Sequence, residues 1–145
     1  MTVIQLAKKL GVSSDTVRYY TRIGLLKPVK SRDNGYNYYT TNDYKRIRFI
    51  LNARHIGFSV KDIRTILLEA DNGKTSCPTV RQLLKKRLQE TERQFQDVLK
   101  LRNRMKAALK DWQDKPDLNP NGDMVCHLIE DFSNSYDEEE VNEKE

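Results

Sequence analysis

The chain has 145 residues, 37% of them hydrophobic and 32% charged, with a net charge of +5. That length holds one small domain plus an extended element, and so polar a composition leaves little for a large single-chain core. No stretch approaches the ~20 consecutive apolar residues of a membrane span, and the amino terminus lacks the apolar run of a secretory leader. Two cysteines separated by 48 residues make no secreted disulfide framework. The expected compartment is therefore a reducing cytoplasm, with thiols free for metal or redox chemistry and no membrane partner.

The charge is uneven. Residues 1–75 hold fourteen Lys and Arg against six Asp and Glu, residues 76–136 eleven against nine, and residues 137–145 one against six. A positive field on the amino-terminal half steers association with a polyanion. The run Asp137-Glu138-Glu139-Glu140 reads as part of a solvated, disordered acidic tail over residues 133–145.

In chain order, Val3 to Leu10 is a short amphipathic helix with Ile4, Ala7 and Leu10 on one face, stopped by Gly11. Ser13 or Ser14 caps a second helix, with Asp15 near its positive end. Two short helices around a Gly-containing turn form a helix-turn-helix signal. The second helix carries Arg18, Tyr19 and Tyr20, of which Tyr20 is equally suited to packing into the head. Next, Lys30-Ser31-Arg32-Asp33-Asn34-Gly35-Tyr36-Asn37-Tyr38-Tyr39 places Asn-Gly between residues of strand propensity, a basic β-wing able to lie along a sugar-phosphate backbone. A third helix is predicted from Thr41 or Asn42, with Tyr44, Ile47, Ile50 and Leu51 inward and Lys45, Arg46 and Arg48 outward. Gly57-Phe58-Ser59 breaks it and caps a fourth helix through Val60, Ile63, Ile66 and Leu67.

Thr16-Val17-Arg18-Tyr19-Tyr20, Gly24-Leu25-Leu26-x-Pro28, Asn34-Gly35-Tyr36-x-x-Tyr39 and Ile56-Gly57-Phe58-Ser59 occur in the order and spacing of one family. Residues 2 to 70 resemble the MerR family of bacterial transcription regulators. The resemblance implies a mainly α fold: a winged helix-turn-helix DNA-binding head over residues 1–75, a dimerisation helix over 76–112, and a sensor loop with a short helix over 113–132. It assigns DNA contacts to Ser14, Asp15, Thr16, Arg18 and Tyr19 of the second helix, and to Lys30, Arg32, Tyr36, Asn37 and Tyr38 of the wing. Asn37 departs from the family's wing, which usually reads Gly-Tyr-Arg; an amide donates to phosphate without charge, so its contact should be weaker and less salt-sensitive.

From Val80 to Trp112 there is neither Gly nor Pro. Leu84, Leu88, Thr91, Phe95, Val98, Arg102, Met105, Leu109 and Trp112 keep a strict 4-3-4-3 spacing, a heptad seam with Thr91 and Arg102 as polar interruptions. At ~1.5 Å per residue such a helix spans ~50 Å, well beyond a small head, so the excess is most economically covered by a second copy. Heptads do not set strand direction; the resemblance implies an antiparallel coiled-coil homodimer. Cys77 of one subunit would then lie near the loop bearing Cys126 of the other.

Cys77-Pro78 reads as a helix start, a position suited to metal binding and thiol redox chemistry alike. After Trp112, the Pro-, Asn- and Asp-rich stretch to Asp123 is a loop, followed by a short amphipathic helix in which Leu128, Ile129 and Phe132 cover the coiled-coil end. The metal-sensing branch of the family places its ion in such a loop, and a cysteine at the Cys77 position goes there with divalent ions. Cys126 matches the loop's second cysteine. Its first is absent, because Asp111, Trp112, Gln113 and Asp114 occupy that neighbourhood. Cys77, Cys126 and His127 with a carboxylate from Asp114, Asp117 or Asp123 would be a mixed donor set suited to zinc or nickel, and also to cobalt. The alternative for His127 is a solvent-facing ring; His55, beside Arg54, reads as structural or DNA-facing.

The expected function is a metal-responsive activator that distorts operator DNA and so acts on RNA polymerase through the promoter they share. A thiol-based sensor of electrophiles or oxidants on the same scaffold is the alternative. An enzyme is not expected: there is no Ser-His-Asp arrangement, no closely spaced carboxylate pair with a pocket-forming segment and no phosphate-cradling Gly-rich loop.

Overall fold

A computed structural model describes residues 1–132; the acidic tail lies outside the described residues. The chain forms two compact units, Met1–Glu90 and the residues from Thr91 onward, which divide inside one long helix.

The first unit opens with α1 (Val3–Leu10), whose capping box joins Thr2 and Gln5 reciprocally. Gly11 ends it at φ +70°, a left-handed conformation that strains any residue with a Cβ. Leu6 and Ala7 are the buried residues of α1, flanked by Val3 and Leu10. The inward stripe therefore runs 3-6-7-10, and Ile4, expected on it, is 64% exposed on the outer face. The reason is helical phase: Val3 and Leu10 lie seven residues apart on the side of Leu6, and Ile4 lies one residue out of step with them. Ser13, rather than Ser14, caps α2 (Ser14–Arg22) by accepting from the Thr16 amide. Val17 and Tyr20 of α2 are buried, so Tyr20 belongs to the core.

The wing is an antiparallel pair, β1 (Val29–Lys30) and β2 (Asn37–Tyr38), with Val29 opposite Tyr38 and Lys30 opposite Asn37. Its connection is longer than a two-residue Asn-Gly turn. The Ser31 amide donates to the Tyr36 carbonyl and the Gly35 amide to that of Ser31, while the Asn34 side chain accepts from the Tyr36 amide. Tyr39 anchors the wing's base: it is 1% exposed, and its hydroxyl meets that of Thr21 on α2 at 2.7 Å.

Capping boxes from Thr40 and Ser59 start α3 (Thr41–Ile56) and α4 (Val60–Asp71), with Asp43 and Asp62 as their reciprocal members. Ile47, Ile50, Ile63, Ile66 and Leu67 are buried as the spacing predicts, and Tyr44 and Leu51 are half-buried against them. Arg46 departs from its outward assignment. Its Nε donates to the Leu25 carbonyl at 2.9 Å, and its two terminal nitrogens fork onto the Asp71 carboxylate at 3.0 Å each. The aliphatic stem reaches across the helix surface, so one polar head ties three segments together.

α5 (Cys77–Trp112) has 36 residues and starts three residues before the Gly- and Pro-free run, since Pro78 fits a first helical turn. Within the first unit, Val80 and Leu83 of α5 pack against the core of the head. In the second unit Leu88's successors on the seam are open to solvent in the single chain: Phe95 is 62%, Val98 63% and Leu109 67% exposed. Leu101 shares this exposure without belonging to the predicted seam. Trp112 differs from its seam neighbours, because its indole Nε1 donates to the Leu128 carbonyl at 3.0 Å and its ring meets Phe132 edge to face. Residues 127–132 are helical. Leu128 and Phe132 are half-buried, whereas Ile129, expected to help cover the helix end, is exposed. Among the described residues no helix is long and apolar enough to cross a membrane.

Candidate nucleic-acid interface and metal site

Asp15, Arg18, Tyr19 and Arg22 are exposed on one face of α2, at the i, i+3, i+4, i+7 spacing that makes a continuous stripe. Arg18 pairs with Asp15 at 3.2 Å, an exposed contact that water and a competing phosphate can readily replace. The Arg22 guanidinium lies 5.6 Å from the centre of the Tyr19 ring, and that ring in turn meets Tyr20 edge to face. Arg22 is not among the residues that the family resemblance assigns to DNA. The signal that finds it is periodic: it stands one full i+7 step from Asp15 and four residues from Arg18. Ser14 is half-buried at the start of α2, and the half-buried Thr16 hydroxyl is hydrogen-bonded to that of Ser13 at 2.9 Å.

The wing supplies the other wall. Tyr36 and Tyr38 are exposed, as are Lys30 and Arg32, while Asn37 is half-buried. Arg18, Tyr36, Asn37 and Tyr38 line a cleft of about 770 Å³ together with Val3 and Ile4 of α1. Ile4, exposed on the outer face of α1, is thus one of the residues that line the cleft between α2 and the wing. A guanidinium, phenolic hydroxyls and an amide beside apolar residues present donors to a phosphate ridge, with ring faces for sugars. His55 is exposed near the end of α3.

The cysteines occupy two settings. Cys77 is exposed as the first residue of α5, its amide 3.4 Å from the Thr75 hydroxyl. Cys126 is half-buried, and its amide donates to the Glu130 carboxylate at 3.0 Å, closing the start of the helical segment 127–132. His127 follows directly. Its Nε2 lies 3.0 Å from the Pro116 carbonyl, and because a carbonyl only accepts, that nitrogen carries the hydrogen. Nδ1 lies on the other side of the ring, 4.0 Å from the Asp131 carboxylate. The ring is thus held across the loop rather than turned to solvent, an arrangement of the kind that orients a ligating imidazole. Asp114, Asp117 and Asp123 are exposed. Among the described residues of the single chain, no three His, Cys, Asp or Glu side chains gather as a metal-binding group. Thiolate, imidazole and carboxylate are nevertheless the donor types that a borderline divalent ion takes.

Comparison with known proteins places these features. The family described as MerR HTH family regulatory protein matches residues 1–70, and that described as MerR, DNA binding matches residues 44–108. A protein of Haemophilus influenzae named "Probable heavy metal-dependent transcriptional regulator" is 32% identical over 121 residues, covering 83% of this chain and 91% of its own length. The HTH-type transcriptional regulator ZntR of Escherichia coli strain K12 is 30% identical over 127 residues, 87% of each chain. A crystal structure of a MerR-family transcriptional regulator from Bacillus cereus superposes with a TM-score of 0.72 at 25% identity, covering 100% of this chain and 98% of that one. These relatives are regulators, and this chain is a DNA-binding regulator and not an enzyme. Head, wing, long helix and matched length lead to one assignment: the chain belongs to the MerR family of transcriptional regulators.

Proposed function

We propose that the chain is a cytoplasmic, divalent-metal-responsive activator that works as a homodimer on double-stranded promoter DNA. The observation that carries this reading is the placement of the two cysteines, one opening α5 and one in the loop beyond its far end, the latter beside an oriented histidine. Heavy-metal dependence in the name of the Haemophilus influenzae relative supports it. In the antiparallel coiled coil implied by family membership, the exposed stripe through Leu84, Leu88, Phe95, Val98, Met105 and Leu109 is covered by its counterpart. Cys77 of one subunit then approaches Cys126 of the other, with His127 or one of Asp114, Asp117 and Asp123 completing the donors.

Cys77 of one subunit and Cys126 of the other, with His127 or a loop carboxylate, would hold a zinc, nickel or cobalt ion, which would supply a link between the helix ends. The helix ends so joined change the angle between the two heads, and the α2 stripes and wings carry that change into the DNA. Bending and untwisting a short site costs on the order of 1–6 kcal/mol, a range accessible to ion-driven rearrangement. RNA polymerase is reached only through the shared promoter.

The test is to mix Cys77→Ser with Cys126→Ser subunits. Each mixed dimer keeps one composite site and either mutant homodimer none, so metal response should return in the mixture alone. Full metal binding by both mutant homodimers would rule the shared site out. The exposure of Cys77 supports a second reading, a thiol sensor of electrophiles or oxidants. In that case promoter activation follows alkylation or oxidation of Cys77 and ignores buffered metal.

A further inference from the structure

Arg87 of α5 makes the densest side-chain network in the head. Its Nε donates to one oxygen of Asp62 at 2.6 Å, and one terminal nitrogen reaches the other oxygen at 3.2 Å and the Ser59 hydroxyl at 3.0 Å. The remaining terminal nitrogen pairs with Glu90 at 2.9 Å. Ser59 and Asp62 are also the two members of the capping box that starts α4. One guanidinium is therefore built into the amino terminus of another helix. Asp62 is buried, and the Arg87 guanidinium holds its carboxyl below the usual range.

Two residues along α4, Arg64 faces a different neighbour. Its guanidinium donates to the Ile23 carbonyl at 2.7 Å, at the C-cap of the recognition helix α2. Helix α4 thus grips α5 near its first turn and the end of α2 one half-turn later. The first unit ends at Glu90, three residues past Arg87, so this network holds α5 close to where the unit ends. Earlier on α5 the Thr79 hydroxyl donates to Glu69 of α4 at 2.7 Å, and Val80 and Leu83 pack against the core of the head. A forked guanidinium–carboxylate pair tolerates little change in angle.

We infer that Arg87 and Arg64 are positioning residues that make α4 a relay, passing displacement of α5 to the carboxyl end of the recognition helix. This inference rests on the proposed response at the far end of α5 and adds the route by which the head receives it. Loss of Arg87 leaves the α2 and wing surfaces intact but frees α5 from the α4 cap.

Two measurements on the full chain test it. Nitroxide labels carried by unnatural amino acids at Lys45 and Lys100 of one chain, diluted with unlabelled protein, report the distance distribution between head and helix without any metal. Arg87→Gln should broaden that distribution, with Arg87→Lys intermediate, because an ammonium keeps the charge but not the fork. Operator untwisting, read by fluorescence of a central base analogue under buffered zinc sulfate, should be lost in Arg87→Gln and Arg64→Gln while metal-free operator affinity stays near the wild-type value. An unbroadened distribution in Arg87→Gln, or undiminished untwisting in both variants, overturns the relay. If the wild-type protein itself ignores zinc, the metal reading fails, and the distance distribution still decides whether Arg87 fastens the helix.

Discussion

Arg18 is held on the surface of α2 by a single exposed contact with Asp15, so its removal should cost the fold almost nothing: exposed pairs contribute about 0–1 kcal/mol. Arg18→Ala should instead weaken operator binding, by about 1–3 kcal/mol for a base contact or with a salt slope lower by about 1 for a phosphate contact. Titration of operator at several salt concentrations distinguishes these outcomes, and unchanged affinity throughout would remove Arg18 from the interface. Arg22→Ala should behave likewise on the strength of its shared stripe. Asp62 gives a pH prediction of definite sign. Its folded carboxyl lies below the ordinary value of 3.8, chiefly through Arg87, so the associated stability is complete above that value and lost as pH falls through the lower, folded one. Asp62→Asn should lower the melting temperature near neutrality and lessen its fall below about pH 4. A melting curve as acid-sensitive as the wild type's would show that other carboxyls dominate.

At the scale of elements, α5 presents an apolar stripe that is exposed in the single chain. Replacing Phe95 and Val98 together by Lys should place four charges in the dimer interface and yield monomers with much weaker operator binding. Sedimentation decides this, and a wild-type monomer at operator-binding concentrations would sink the homodimer. The segment after α5 depends on Trp112, whose indole bond to Leu128 ties the end of α5 to residues 127–132. Trp112→Phe keeps an aromatic edge for Phe132 and deletes that bond, a loss of about 0.5–1.5 kcal/mol. Faster amide exchange confined to the loop and residues 127–132 would confirm it; uniform protection would show that the bond is dispensable.

For the whole molecule, the governing feature is the separation of the basic segment from the two cysteines. Fourteen basic residues against six acidic ones in residues 1–75 set a field that draws DNA to the head, whereas both cysteines lie beyond that segment. Under the proposed function, electrostatics bring the regulator to DNA in any state, and the effector alters geometry rather than affinity.

Much of this architecture is legible in the residue order because it rests on local rules. Caps at Ser13, Thr40 and Ser59, the glycine at position 11 and the 4-3-4-3 stripe depend on neighbours within a few positions. The motif spacing likewise identifies the family. Ile4 lining the cleft, Arg46 forked across three segments, Arg87 in the cap of α4 and the histidine turned to Pro116 depend on partners ten to thirty positions away or on helical phase. No periodicity encodes such contacts, since a long polar side chain is compatible with solvent until folding brings an acceptor within reach. The sequence alone determines a winged head on a long amphipathic helix with two separated thiols; tertiary structure decides which charged side chains are structural, because only packing brings a carbonyl or carboxylate to within 3 Å of them.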